Sequence, residues 1–196
     1  DVLVHYVQGL DLPLDISFVY NDRFKETNYI YSMYQAREKL QNTDFILMHG
    51  DLVFENRVFD QLISTEGSVM VVSSTMALPQ KDFKAVIDGG KIKKVGIEFF
   101  DHAMTAQPLY KLTKEDWTCW LNQIEKFIKI GMMDCYAENA MNEVTDEMLL
   151  TPMDVKNMLC NEIDNPEELA VVATRLHEIE QRKVYMSFST DILHSG

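Results

Sequence analysis

Phe45-Ile46-Leu47-Met48-His49-Gly50-Asp51 is an unbroken apolar run that ends in Gly and Asp. Four apolar residues in a row read as a central parallel strand, buried on both faces, with an acid at its carboxyl end. The chain alternates outward from that run. Upstream, Ile16-Ser17-Phe18-Val19-Tyr20 reads as a strand closed by the turn pair Asn21-Asp22, and Thr27 or Asn28 caps a helix to about Leu40. Downstream, a helix over about Asn56 to Ser64 leads to Val69-Met70-Val71-Val72, a second buried strand. Strand, helix, strand, helix, strand is the signature of an α/β sheet. In such a sheet, ligands bind outside the carboxyl ends of the strands.

The remaining segments fit around this centre. Val4, Val7 and Leu10 fall on helical spacing, so the opening segment reads as helix rather than strand. Phe83 to Ile87 and Lys91 to Ile97 flank Asp88-Gly89-Gly90, a hairpin whose glycines supply positive φ. Residues 114 to 130 place Trp117, Trp120, Leu121, Ile124 and Phe127 on one helical face, with Thr113 as cap and Asp116 in the first turn. Thr151 to Val155 reads as a short strand. Glu162-Ile163-Asp164 follows as the end of another, before a helix from Asn165-Pro166 to about Arg182. Residues 185–196 read as an added edge strand or a loose tail, so residues 1–184 form one domain.

The 196-residue chain is 46% apolar and 25% charged, as a soluble globular domain is. A net charge of −13 argues against nucleic acid or an anionic membrane as partner, since both need a basic face. It leaves cation-assisted binding of a phosphorylated ligand open. Cys119, Cys135 and Cys160 form no CxxC pair and read as reduced thiols of a cytoplasmic protein. No apolar run is long enough to span a bilayer. No Gly-rich, phosphate-cradling loop occurs in the chain.

The order of these pieces resembles the small-substrate nucleotidyltransferases, above all the bacterial cytidylyltransferases of the phosphocholine type. The residues that carry the resemblance are Val19-Tyr20-Asn21, Glu26-Thr27-Asn28-Tyr29-Ile30-Tyr31-Ser32-Met33-Tyr34, the strand ending in Gly50-Asp51, and Glu162-Ile163-Asp164 before a helix. It spans residues 16 to 180 and implies a Rossmann-like α/β sheet flanked by helices. It also implies that Asp1 falls after the family's second strand, so that relative to the family the chain is N-terminally truncated, lacks the glycine-rich loop and Lys that hold the triphosphate, and is expected to be inactive or far slower alone. The implied reaction transfers a nucleotidyl group, with CTP the leading nucleotide, to a phosphorylated small molecule such as phosphocholine, phosphoethanolamine or aminoethylphosphonate. The rivals are a sugar- or polyol-phosphate nucleotidyltransferase, a non-catalytic binding domain of the same fold, and a nucleotide-sugar glycosyltransferase.

Asp51 and Asp164 are the implied ligands of a magnesium ion, which takes carboxylates together with phosphates and waters. Read singly, each is also an ordinary turn or helix-start acid. Glu162 shares a strand face with Asp164 and is a supporting carboxylate, a partner for a cationic substrate group, or a surface acid. Asn28 and Ser32 share a helix face that the resemblance places beside the nucleotide base, where an amide suits the cytosine edge; Asn28 also reads as the helix cap. Glu98, Asp101, Tyr136 and Glu138, with Phe99 and Phe100, are the implied acceptor pocket, and aromatics beside acids suit an ammonium headgroup. His49 reads as a neighbour of Asp51 rather than a ligand, because magnesium disfavours imidazole. Lys84 reads as a strand-edge cation, or as a contact for a phosphate. The oligomeric state is left open by the sequence.

Overall fold

The computed structural model describes residues 2–181. Asp1, Arg182 and the segment 185–196 lie outside the described residues. In chain order the elements are α1 (Val2–Gln8), α2 (Tyr29–Leu40), β1 (Phe45–Met48), β2 (Leu52–Phe54), α3 (Asn56–Ser64), β3 (Val69–Ser73), β4 (Lys84–Asp88), β5 (Lys91–Gly96), β6 (Ala103–Leu112), α4 (Lys114–Lys129), α5 (Ala137–Met141), β7 (Thr151–Asp154), β8 (Cys160–Glu162) and α6 (Pro166–Glu180).

A six-stranded mixed sheet runs β5-β4-β6-β3-β7, with β1 also on β6. Ten-residue β6 is its axis. One edge of β6 pairs with β3, and the other is shared by β4 at Ala103–Thr105 and β1 at Leu109–Leu112. β3–β7 is the parallel pair among the described strands. The expected placement of Phe45–Met48 as a central parallel strand is therefore corrected. β1 is antiparallel to β6 and only partly buried, and the buried centre is β3, with all five residues inaccessible. Residues 16–20 form no strand. Ile16, Phe18, Val19 and Tyr20 are exposed and find no pairing partner, which alternation alone cannot supply.

Alternation along β3 separates two cores. Met70 and Val72 face a large cluster with Ile30, Tyr110, Trp117, Trp120 and Ile124, covered by α2, α4 and α5. Val69 and Val71 face a smaller one with Val58 and Leu62 of α3, Leu109 and Met153. Helix ends follow the sequence. Asn28 caps α2 by accepting from the Tyr29 amide, Thr113 caps α4 by accepting from the Asp116 amide, and Asn165 caps α6 by accepting from the Glu168 amide. Gly89 (φ 56°) and Gly90 (φ 76°) make the β4–β5 turn, where both central residues need positive φ.

A second, two-stranded ribbon positions the site. β2 and β8 pair antiparallel with Leu52 opposite Glu162 and Phe54 opposite Cys160. The Ile163 amide then donates to the Asp51 carbonyl at 3.0 Å. The two acidic stretches do not, as expected, end strands of one parallel sheet. Asp51 lies in the turn from β1 to β2, and Glu162 closes β8 in the separate ribbon.

Candidate active site

The β2–β8 register brings together residues far apart in sequence. His49, Asp51 and Glu162 each offer a donor atom, and these atoms lie within 4.8 Å of one another. His49 Nδ1 is 3.3 Å from Glu162 Oε1. The His49 amide donates to the Pro108 carbonyl of β6, which ties the residue after β1 to the sheet axis. Its ring lies edge-on to Tyr29 at 4.9 Å and toward Phe83 at 6.4 Å. Imidazole position is thus set by packing on two sides.

Cavities meet at this cluster. One of about 180 Å³ is lined by Tyr29, His49, Asp82, Tyr136, Glu162 and Asp164, with Lys81, Phe83 and Ile97. One of about 450 Å³ lies between α2 and β1, lined by Tyr29, Ser32, Met33, His49 and Asp51 among others. A third, of about 710 Å³, runs from Glu162 along α6 to Lys156 and Arg175. Tyr29 lines the first two, and its buried hydroxyl has no hydrogen-bond partner among the described residues.

Negative charge accumulates here. Among the described residues Glu162 has His49 as its close side-chain contact, and no Lys or Arg pairs with Asp51, Glu162 or Asp164. Neighbouring groups register that charge. Partial burial holds the Asp82 carboxyl above its usual range, and Glu162, Asp164 and Glu168 push it the same way. The buried Cys160 thiol is pushed up to about 12 by burial and by Glu162. Glu138 is pushed up to about 8, chiefly by burial, with Glu162 adding to it against an opposing backbone hydrogen bond.

Asp51 and Glu162 are in the donor cluster. Asp164 is exposed, two residues beyond Glu162, and lines the cavity beside it without joining the three converging donors. Asn28 Oδ1 accepts from the Tyr29 amide at 2.7 Å, which caps α2. Ser32 Oγ accepts from Asn21 Nδ2 at 3.1 Å and lines the α2–β1 cavity. Tyr136 lines the small cavity, its ring 5.0 Å from Phe83. Glu98 and Asp101 are exposed around the end of β5. Glu138 is 1% exposed in α5 and accepts from the Tyr110 hydroxyl at 2.7 Å, so it lies in the core rather than on a cavity wall with Tyr136.

Sequence reasoning set His49 aside, and it passed over Asp82 and Tyr29. The spacing of His49 and Asp51 was visible, but the antiparallel ribbon that brings Glu162 to them was not. Lys84 is also different from the strand-edge cation expected. It is fully buried, donates to the Pro79 and Asp82 carbonyls at 2.6 and 3.0 Å, and lies 4.3 Å from the centre of the Phe100 ring. It thereby fastens the loop that carries Asp82. Burial lowers its pKa.

No family model and no curated protein matches the sequence. Solved structures do match. The inositol-1-phosphate CTP transferase from T. maritima superposes with a TM-score of 0.71 at 21% identity, over 90% of this chain and 73% of that one. The CTP:phosphocholine cytidylyltransferase from Streptococcus pneumoniae gives 0.66 at 17% identity, over 91% of this chain and 75% of that one. UDP-glucose pyrophosphorylase gives 0.58 at 8% identity, over 81% and 63%. Helices on both faces of a mixed sheet built about β3 and β6, with a small ribbon at its end, give this chain the fold of the nucleotidyltransferases.

Proposed function

We propose that the protein transfers a nucleotidyl group from a nucleoside triphosphate, CTP first among them, to a phosphorylated small molecule. The observation that carries this reading is the convergence of Asp51 and Glu162, with Asp164 beside them, on adjoining cavities of a nucleotidyltransferase fold, with no Lys or Arg in ion-pair contact with them among the described residues. In the reaction a phosphate oxygen of the acceptor attacks the α-phosphorus. The bond from that phosphorus to the bridging oxygen breaks, and pyrophosphate leaves. A divalent cation held by Asp51 and Glu162 would supply the charge neutralisation that lets two anions approach, magnesium being the expectation from oxygen donors alone.

The chain's own residues position these groups. Asp51 and Glu162 are fixed by the β2–β8 ladder, and Asp164 extends the acidic wall. Asn28 keeps two amide hydrogens for a base acceptor after capping α2, and Ser32 stands one turn further along the same helix. Tyr136 presents an aromatic face in the small cavity beside Asp82, Glu162 and Asp164. That setting favours an acceptor bearing an ammonium group, such as phosphocholine, phosphoethanolamine or aminoethylphosphonate, over a neutral sugar or polyol phosphate. Glu98 and Asp101 would meet such an acceptor only from the exposed rim.

The test is pyrophosphate release by the full chain with each nucleoside triphosphate against those three acceptors, inositol phosphate and glucose phosphate. Calorimetric titration of the nucleotides with magnesium present runs in parallel. Preference for CTP and an ammonium-bearing acceptor supports the reading. Preference for a sugar or inositol phosphate keeps the chemistry and removes the acceptor. Absence of both nucleotide binding and turnover refutes it.

A further inference from the structure

We propose that His49, Asp51 and Glu162 form a divalent-cation site whose imidazole donor makes it select manganese- and cobalt-class ions over magnesium. The inference rests on the proposed function only for the use made of the ion, not for its binding.

The geometry is that of a site rather than of a surface acid pair. Two donors on one ion stand about 3 Å apart when adjacent and about 4.2 Å when opposite, given metal–ligand distances near 2.1 Å. Donor atoms within 4.8 Å of one another need only small side-chain rotations to reach that range. The backbone beneath them is fixed. Leu52 opposes Glu162 in the ribbon, the Ile163 amide donates to the Asp51 carbonyl, and the His49 amide donates to Pro108. Tyr29 at 4.9 Å and Phe83 at 6.4 Å limit where the imidazole can turn. Tyr29 also lines the adjoining cavities, and its buried hydroxyl has no hydrogen-bond partner among the described residues.

Charge favours a cation. Asp51 and Glu162 contribute two carboxylates, and Asp82 and Asp164 line the adjoining cavity against a single cation among the described residues, Lys81. Among the described residues no Lys or Arg pairs with either carboxylate of the cluster. Chemistry then selects the ion. Magnesium takes oxygen donors and retains its waters, and an imidazole adds little for it. Manganese and cobalt accept mixed nitrogen and oxygen donors, with affinity rising along the first-row series. The competing explanation is that His49 and Glu162 are simply a hydrogen-bonded pair at 3.3 Å, with no ion between them.

Manganese separates the two. The full chain, without nucleotide, is titrated with Mn²⁺ and the free ion is followed by electron paramagnetic resonance. Bound ion is examined for electron spin-echo modulation from a directly coordinated nitrogen. One tight site, ¹⁴N coupling, and displacement only by Mg²⁺ in excess on the order of tenfold or more are expected. His49→Gln should abolish the nitrogen coupling and weaken Mn²⁺ by about tenfold or more, while changing Mg²⁺ competition far less. Glu162→Gln should weaken both ions. Absence of a bound Mn²⁺ signal, absence of nitrogen coupling in the unaltered protein, or equal competition by Mg²⁺ overturns the proposal. The nitrogen coupling is read on the unaltered chain, so a poorly folded variant leaves the test decisive. Since no nucleotide is present, failure of nucleotidyl transfer would not move any of these readouts.

Discussion

Replacing Glu138 by Gln should change the pH dependence of stability in a defined direction. Glu138 is 1% exposed, its Oε1 accepts from the Tyr110 hydroxyl at 2.7 Å, and its Oε2 has no hydrogen-bond partner among the described residues. Burial raises its pKa from 4.5 to about 8. The folded protein therefore holds a proton that the unfolded chain releases between these values. For an acid raised in this way, stability is fullest below the unfolded pKa and declines as pH rises toward the folded one. At about 1.4 kcal/mol per pH unit, that window corresponds to roughly 5 kcal/mol.

Gln cannot ionise. It keeps a carbonyl oxygen for Tyr110 but buries amide hydrogens without partners, at about 1–3 kcal/mol. Glu138→Gln should thus be less stable by about that amount at pH 5 and more stable by roughly 2–4 kcal/mol at pH 8. Asp82, also raised, shifts both proteins alike and cancels in the difference. Urea unfolding at pH 5, 6.5 and 8, with a common m-value, reads the difference directly. Parallel pH profiles for the two proteins would refute the assignment of Glu138 as a carboxyl held neutral in the core.

Trp120→Ala should cost about 3–5 kcal/mol, read as a lowered midpoint in urea, because a fully buried ring and its hydrogen bond to the Ala137 carbonyl at 2.9 Å are both removed. Thr113→Ala should cost about 1–2 kcal/mol, since Thr113 Oγ1 caps α4 and also accepts from Ser68. A Thr113→Ser variant should recover most of that loss in the same assay. Gly90→Ala should lower stability by about 1–2 kcal/mol, because its φ of 76° is unfavourable for a residue with Cβ, although nothing lies within 4 Å of the added atom. A loss as large for Gly50→Ala, where the backbone is not left-handed and the space is open, would show that the cost is not conformational.

What was legible in the sequence divides by the range of the interactions involved. Helices α2, α4 and α6 were readable because their caps lie within one segment, α3 because its apolar residues Val58 and Leu62 fall on one face, and the Gly89-Gly90 hairpin because its turn dictates its pairing. Strand β6 was not readable. Pro108 and Gln107 interrupt its pattern, and both fall where the β3–β6 register shifts, the kind of position at which a sheet accepts proline. With the axis strand missing, β1 could not be seen as its antiparallel neighbour, and the apolar run was given a parallel role. The same gap explains the site. Asp51 and Glu162 were each visible as acids beside apolar runs. What joins them is the β2–β8 pairing, and each of those strands is three residues long, too short for any period to show. His49 was set aside on its own chemistry with magnesium. It enters the site because the ribbon carries Glu162 to it across 113 positions, and because Pro108, Tyr29 and Phe83 hold it there. The meeting of His49, Asp51 and Glu162 is therefore decided by long-range pairing rather than by the local Gly-Asp motif, and the proposed cation selectivity rests on that meeting.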